Sequence, residues 1–408
     1  MKRLLIILAV FALASPLMAC LWDSDTLAAE GAGNVDEISI MMGGFPRNPK
    51  LYFEMRLERS QGLIEKDPKA WEAYDDAAVA ADRIGDSTKA IEIMEAKIAA
   101  MKEAGFDGQG PQPNHAYRTK ANLGTFYAHR WFKGGKDFSK LEDMIRARDL
   151  IAEAIKENPD AHFGREKYQL RVLNWVLSED AVREPSFSDL GAPKDLYPDI
   201  FGLWKMKRAE IRENYDEMLR GITGLMHLGA AWQSVDAVYV IYALAAAKDH
   251  SSLRYLAKHR IEELQAAGGD YLRGWATTPA DRERGAKLDD RWIRVRGYSE
   301  GRGSNTPKIF RRERSKVEDW HTRRTDYMMA RLEKGQHPDA DPEFWKGFPE
   351  HLGFNVDLRD EIPVANKSSV VGVATEFFEK PSVIVGAIVG ALVVIGFALF
   401  MRREKHEG

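Results

Sequence analysis

The sequence predicts an all-α protein, a stack of helical hairpins followed by one C-terminal transmembrane helix. Three observations carry this. From Pro49 to about residue 266 the sequence reads as helical, and Lys69–Ala104 has long apolar periodicity with almost no clustering of β-branched residues. Turn signals such as Gly85 and Pro159 separate those runs. Ser382–Met401 then holds no charge over about 20 residues, the length needed to cross ~30 Å of hydrocarbon. A chain of 408 residues has room for two or three domains. Its net charge of −3 makes no general case for nucleic acid, and 44% hydrophobic with 30% charged residues suits a soluble helical body between special ends.

The ends place the body outside the cell. Lys2 and Arg3 precede an apolar run, Leu4 to Ala14, too short to span a bilayer, which reads as an export signal. Leu17-Met18-Ala19-Cys20 resembles a bacterial lipobox, cut before the cysteine that becomes lipidated. Cys20 is the chain's one cysteine, so it has no internal disulfide partner, and lipidation gives it a reason to be there. Cleavage after Ala14 or Ala29 is the alternative. At the other end Arg402, Arg403 and Lys405 follow the apolar run directly, which sets the tail in the cytoplasm and the body in the periplasm or outside. Gly386 and Gly390 have GxxxG spacing, a close-contact face through which two membrane helices could form a homodimer.

Between the ends the helices follow in order. Residues 20–48, with Gly, Ala, Asp and Ser and little periodicity, read as a tether after a signal peptide at 1–19. Tyr52–Ile64 is a helix closed by Pro68. Lys69–Ala104 is a helical pair around Gly85-Asp86. ARDLIAEAIKENP (147–159) sets Ala147, Ile151 and Ala154 on one stripe and ends at Pro159, where the hydrogen-bond ladder cannot continue. His162–Leu177, Pro198–Leu219, Ala237–Ala247 and Ser252–Ala266 continue the helical text.

Two of these stretches resemble the tetratricopeptide repeat, a helix–turn–helix unit of about 34 residues. In the first, Tyr74, Ala77, Ala78, Ala81, Gly85, Ala90 and Met94 fall at signature positions. In the second, Leu123, Gly124 and Tyr127 are followed by Ala147, Ile151, Ala154 and Pro159. Tyr127 and Ala147 stand 20 positions apart, about 11 more than the repeat uses, so the sequence predicts an enlarged turn near Arg130–Leu141. The resemblance implies a solenoid over 49–269 whose inner face binds a protein or peptide. It places the partner-facing positions at Glu72, Asp75, Val79 and Asp82 in the first unit, and at Arg118, Ala121, Thr125 and Ala128 in the second. Asp75 and Val79 stand where one subset of the family grips a C-terminal acid with Lys and Asn. The first unit's acids would therefore favour a basic or amide-rich ligand.

Residues 270–365 differ: they are charged and rich in Trp, mostly helical or irregular. Asp281–Lys334 holds 16 Lys and Arg against 10 Asp and Glu, interleaved as on a solvated surface. Trp320, Arg324, Tyr327 and Arg331 recur at steps of four, three and four, which predicts a helix over Val317–Lys334. A linker at 366–381 then leads to the membrane span at 382–401 and a cytoplasmic tail at 402–408. Chemistry is sparse. No metal-ligand spacing and no phosphate loop occur, so no metal or cofactor is expected. Gly297-Tyr298-Ser299-Glu300-Gly301 matches GxSxG in letters, but a nucleophile elbow must open a helix, and RGSNTP does not. His337-Pro338-Asp339 resembles the tripeptide of J-domain co-chaperones without its flanking helices.

These readings converge on a membrane-anchored exported scaffold that binds a protein or peptide, not an enzyme, with no nucleic-acid partner. The alternatives are a two-ended structural tether of the cell envelope and an envelope enzyme with its site in 270–363.

Overall fold

The computed structural model describes residues 21–31, 36–109, 114–159, 165–178, 206, 208–227, 231–269, 305–356 and 358. All belong to Met1–Leu358, the first of two units into which the chain divides. Cys20, Ser299, Gly386 and Gly390, and with them the signal peptide and the apolar run Ser382–Met401, lie outside the described residues. Among the described residues there are thirteen α-helices and no strand. None of these helices is long and apolar enough to cross a membrane.

Two short helices open the described chain: α1 (Ser24–Gly31) and α2 (Glu37–Met42). Then come α3 (Lys50–Lys66), α4 (Trp71–Arg83), α5 (Ser87–Glu103), α6 (His115–Lys133), α7 (Glu142–Glu157) and α8 (Arg165–Val176). After these stand α9 (Arg208–Glu213), α10 (Tyr215–His227), α11 (Val235–Lys248), α12 (Ser251–Ala266) and α13 (Thr306–Leu332). From α3 to α8 each helix packs on the next, and α8 passes the succession to α10, α11 and α12.

The boundaries follow local chemistry. Between α4 and α5, Gly85 takes φ +109°, a left-handed conformation open to glycine at no steric cost. The turn closes with Asp86 N–H donating to Ala81 O at 2.9 Å, and Asp86 then caps α5 by accepting from Lys89 N at 2.8 Å. Asn114 caps α6 through Tyr117 N at 2.8 Å. Gly124 lets α6 meet α7 closely: a Cβ there would stand 2.9 Å from Ile151 Cγ1 and 3.1 Å from Ala147 O. The small residues at 147 and 154 are fully buried on the same face. The enlarged turn resolves into an extra turn of α6 and a loop. Trp131 closes it, edge-on to Phe138 at 5.2 Å and donating Nε1–H to Asp137 O at 3.0 Å.

Two segments differ from the sequence expectation. Residues 21–31 and 36–48 do not form a free tether: Leu21, Met41 and Met42 are fully buried, and Asp36 caps α2 through Ile38 N and Ser39 N at 3.0 Å. Their burial depends on partners far along the chain, which composition does not reveal. The helix expected at Val317–Lys334 begins at Thr306, and its Trp320–Arg331 stripe is a packing face. That helix, α13, packs on α12, α2 and α3, so the succession returns to its start. Arginines build this closure. Arg314 donates to Met42 O at 2.6 Å, and the guanidiniums of Arg260, Arg47 and Arg314 lie 3.8, 4.7 and 5.2 Å from the Trp232 ring.

Candidate functional site

The eight positions expected to face a partner gather on α4 and α6, but seven of them are buried and only Glu72 is exposed. Their charges are answered internally. Asp75 Oδ1 accepts from Lys97 Nζ at 2.7 Å, with His115 and Arg118 at 3.8 and 4.0 Å from Oδ2. Burial pushes the Asp75 carboxyl up, but Lys97, His115 and Arg118 outweigh it and hold it below the usual carboxylate range. Asp82 behaves alike: burial opposes ionisation, yet His129 at 2.7 Å and Lys133 at 2.9 Å hold its carboxyl well below the ordinary range. These acids are therefore not an open acidic lure for a basic ligand. Val79, Ala121 and Ala128 are sealed in apolar packing, and Thr125 donates to Ala121 O while accepting from Gln169 Nε2, both at 2.9 Å.

The chain's own N-terminal segment covers much of this face. Leu21 joins the core formed by Tyr74, Ala78, Val79, Leu123 and Phe126. Trp22 packs with Tyr117, Ala121 and Ala154. Asn122 reads the Trp22 backbone twice, its Oδ1 accepting from Trp22 N at 2.7 Å and its Nδ2 donating to Trp22 O at 3.0 Å. Ser24 N and Oγ both donate to Asp76, each at 2.8 Å. Burial pushes the Asp76 carboxyl up to about 7.

Beyond Trp22 the segment borders a cleft of about 820 Å³. Its other walls come from the loop before α3, from α3, the end of α10, α13 and residues 338–355. On its floor Arg56, 1% exposed, donates from Nε and Nη2 to the two oxygens of Asp339 at 2.7 and 2.6 Å. The same guanidinium meets Asp25 at 2.9 Å, Asp23 at 3.4 Å and the Tyr52 hydroxyl. Burial alone would lower the Arg56 pKa; Asp25, Tyr52, Asp339 and Asp23 raise it well above the ordinary value. Burial and the neighbouring Asp25 push Asp23 up, whereas Arg56 and Tyr52 overcome burial to hold Asp25 down. Burial holds His337 below its ordinary value, so its ring is neutral at pH 7. Nε2–H then donates to Tyr52 O at 3.1 Å and Nδ1 accepts from Asp339 N at 3.2 Å.

A second arginine extends the network. Arg324 donates to His351 O and Asn48 Oδ1, both at 2.9 Å, and Asn48 Nδ2 donates on to Asp25 at 3.0 Å. Burial lowers the Arg324 pKa to about 10. Trp345 stands at the rim, stacked on His351 at 4.6 Å with the Arg324 guanidinium 4.8 Å from its ring. The cleft thus offers carboxylates, guanidiniums, amides and aromatic faces, fixed by partners on several elements. Such a convergence of polar groups in a concave, partly apolar site is how ligand sites are built. Among the described residues no three metal-ligating side chains gather.

No protein-family model, no curated protein and no solved structure matches this chain.

Of the cleft, the sequence singled out only Arg324, as part of a helical stripe, and His337-Pro338-Asp339, as a chance tripeptide. Asn48, Tyr52 and Arg56 carry no sequence signal that marks them as a site, and Asp23 and Asp25 are read only as part of a tether. A usable one lay in the LWDSD stretch (21–25), where Leu and Trp sit beside two acids in a segment otherwise read as a tether.

Proposed function

We propose that this chain is an exported, membrane-anchored scaffold of tetratricopeptide-like build that holds a protein or peptide partner in the cleft beside its N-terminal segment. The cleft carries this reading: about 820 Å³ of space, walled by parts of the chain far apart in sequence, with fixed donors, acceptors and aromatic faces. The repeat-like build is supported by the close meeting of Leu123-Gly124 with Ala147 and Ile151, and by the succession of packed helices from α3 to α8. The anchoring rests on the export signal, the apolar run Ser382–Met401 and the basic residues after it, with the body outside and the tail in the cytoplasm. The inner helical face is a poorer place for an outside partner, because Leu21 and Trp22 already occupy it. Fold does not fix function, so the partner must be found at the site itself.

The test is site-specific photocrosslinking in the full membrane-bound chain. A photoreactive residue at Phe53, in the cleft, is expected to give one discrete adduct, lost when Trp345 is changed to Ala. The same residue at Ile145, exposed on α7, is expected to give none. Equal adduct patterns at the two positions would refute the cleft as the binding site.

A further inference from the structure

We infer that the face formed by α4 and α6, with Arg56 of α3 beside it, is a receptor for a Leu-Trp-Asp segment that leads into a helix, and that residues 21–25 are its resident ligand. The segment also walls the cleft through Asp23 and Asp25, but the receptor assignment stands whether or not the cleft has a partner. Every residue of the segment has a reader, and Asp23 and Asp25 share one. Asn122 binds the backbone of Trp22 through both its oxygen and its nitrogen, a contact that fixes the main chain whatever side chain it carries. The indole lies edge-on to Tyr117 at 5.4 Å and 5.1 Å from the Arg118 guanidinium, so aromatic and cation–π contacts select an aromatic residue there. Leu21 enters an apolar pocket and is 0% exposed. Asp23 and Asp25 meet Arg56, and Ser24 meets Asp76.

Main-chain bonds for hold and side-chain pockets for choice are the elements of peptide recognition. The readers lie far along the chain from the segment, Asn122 by 100 positions and Asp76 by 52. Residues 21–25 are thus held by contacts a separate peptide could make equally well.

The experiment keeps the full chain and cuts it once, at a protease site placed within residues 32–35. The cut protein is passed through gel filtration, then titrated with a fluorescent peptide of residues 21–31, read by anisotropy. The receptor assignment expects the cut fragment to co-elute and the labelled peptide to exchange into its place saturably. The peptide carrying Trp22→Ala is expected to bind about tenfold weaker or worse, and the Asn122→Ala protein to hold the natural peptide about tenfold weaker. Three results would overturn it: loss of the fragment with no uptake of peptide, loss of helical signal despite excess peptide, or equal binding of the Trp22→Ala peptide. Peptide uptake without the Phe53 adduct would overturn the cleft reading alone, and the adduct without peptide uptake would overturn the receptor alone, so the two failures are told apart.

Discussion

The pair of hairpins α4–α7 and the closure formed by residues 21–31 and 36–48 with α13 and residues 337–356 differ in what dominates their packing and in how far along the chain their partners lie. In the hairpins, alanines and one glycine bring helices together around an aliphatic and aromatic core, and the two buried acids, Asp75 and Asp82, are answered by neighbours on α5 and α6. In the closure, buried arginines stand at the centre: Arg56 with three aspartates, Arg324 with carbonyl and amide oxygens, and Arg47, Arg260 and Arg314 around Trp232. Apolar packing is non-directional and tolerates small shifts. A buried ion network is directional, and it is favourable only while every member is paired. The hairpins therefore serve as frame, whereas the closure defines the cleft.

Substitutions should break the two regions differently. The largest effect is expected from Arg56→Ala, which strands Asp23, Asp25 and Asp339 together; the loss should be about 3–5 kcal/mol in denaturant unfolding. Trp22→Ala removes a large side chain from the inner face and should cost about as much, ~3–5 kcal/mol. A near-neutral Trp22→Ala would show that the segment only rests on the surface. In the frame, Gly124→Val forces a branched side chain against Ile151 and the Ala147 carbonyl and should cost about 1–3 kcal/mol.

A pH test sharpens the contrast. The Asp76 carboxyl is raised from 3.8 to about 7, so the stabilisation tied to its protonation is full below pH ~4 and is lost as pH rises through about 7. Asp76→Asn keeps a partner for Ser24 without the ionisation cost. It should raise the unfolding midpoint at pH 8.5 and change it little at pH 5; the opposite ranking would contradict the burial argument. Smallest of all, Ile145→Ser on the exposed side of α7 should stay within about 0.5 kcal/mol of the parent.

The same contrast explains what the sequence could reveal. The helices of the frame were legible because Ala147, Ile151 and Ala154, or Tyr74, Ala77 and Ala81, repeat at steps that fix a helix face locally. The closure was not, because its partners are non-local: Arg56 and Asp339 are 283 positions apart, and Arg324 and Asn48 are 276. Composition therefore made residues 20–48 look like a tether. His337-Pro338-Asp339, unremarkable as a tripeptide, became part of the cleft floor once α13 had turned the chain back. The eight groove positions lie on α4 and α6, but nothing local to them announces that Leu21 and Trp22 pack there.

The most direct test of the account is native-state hydrogen exchange of the Trp22 amide in the full chain. Bonded to Asn122 and buried, it should exchange as slowly as the amides of α4 and α6, since it opens only when the inner face opens. Exchange within seconds, while α4 and α6 stay protected, would show an undocked N-terminus and contradict both the receptor and the cleft it helps to wall.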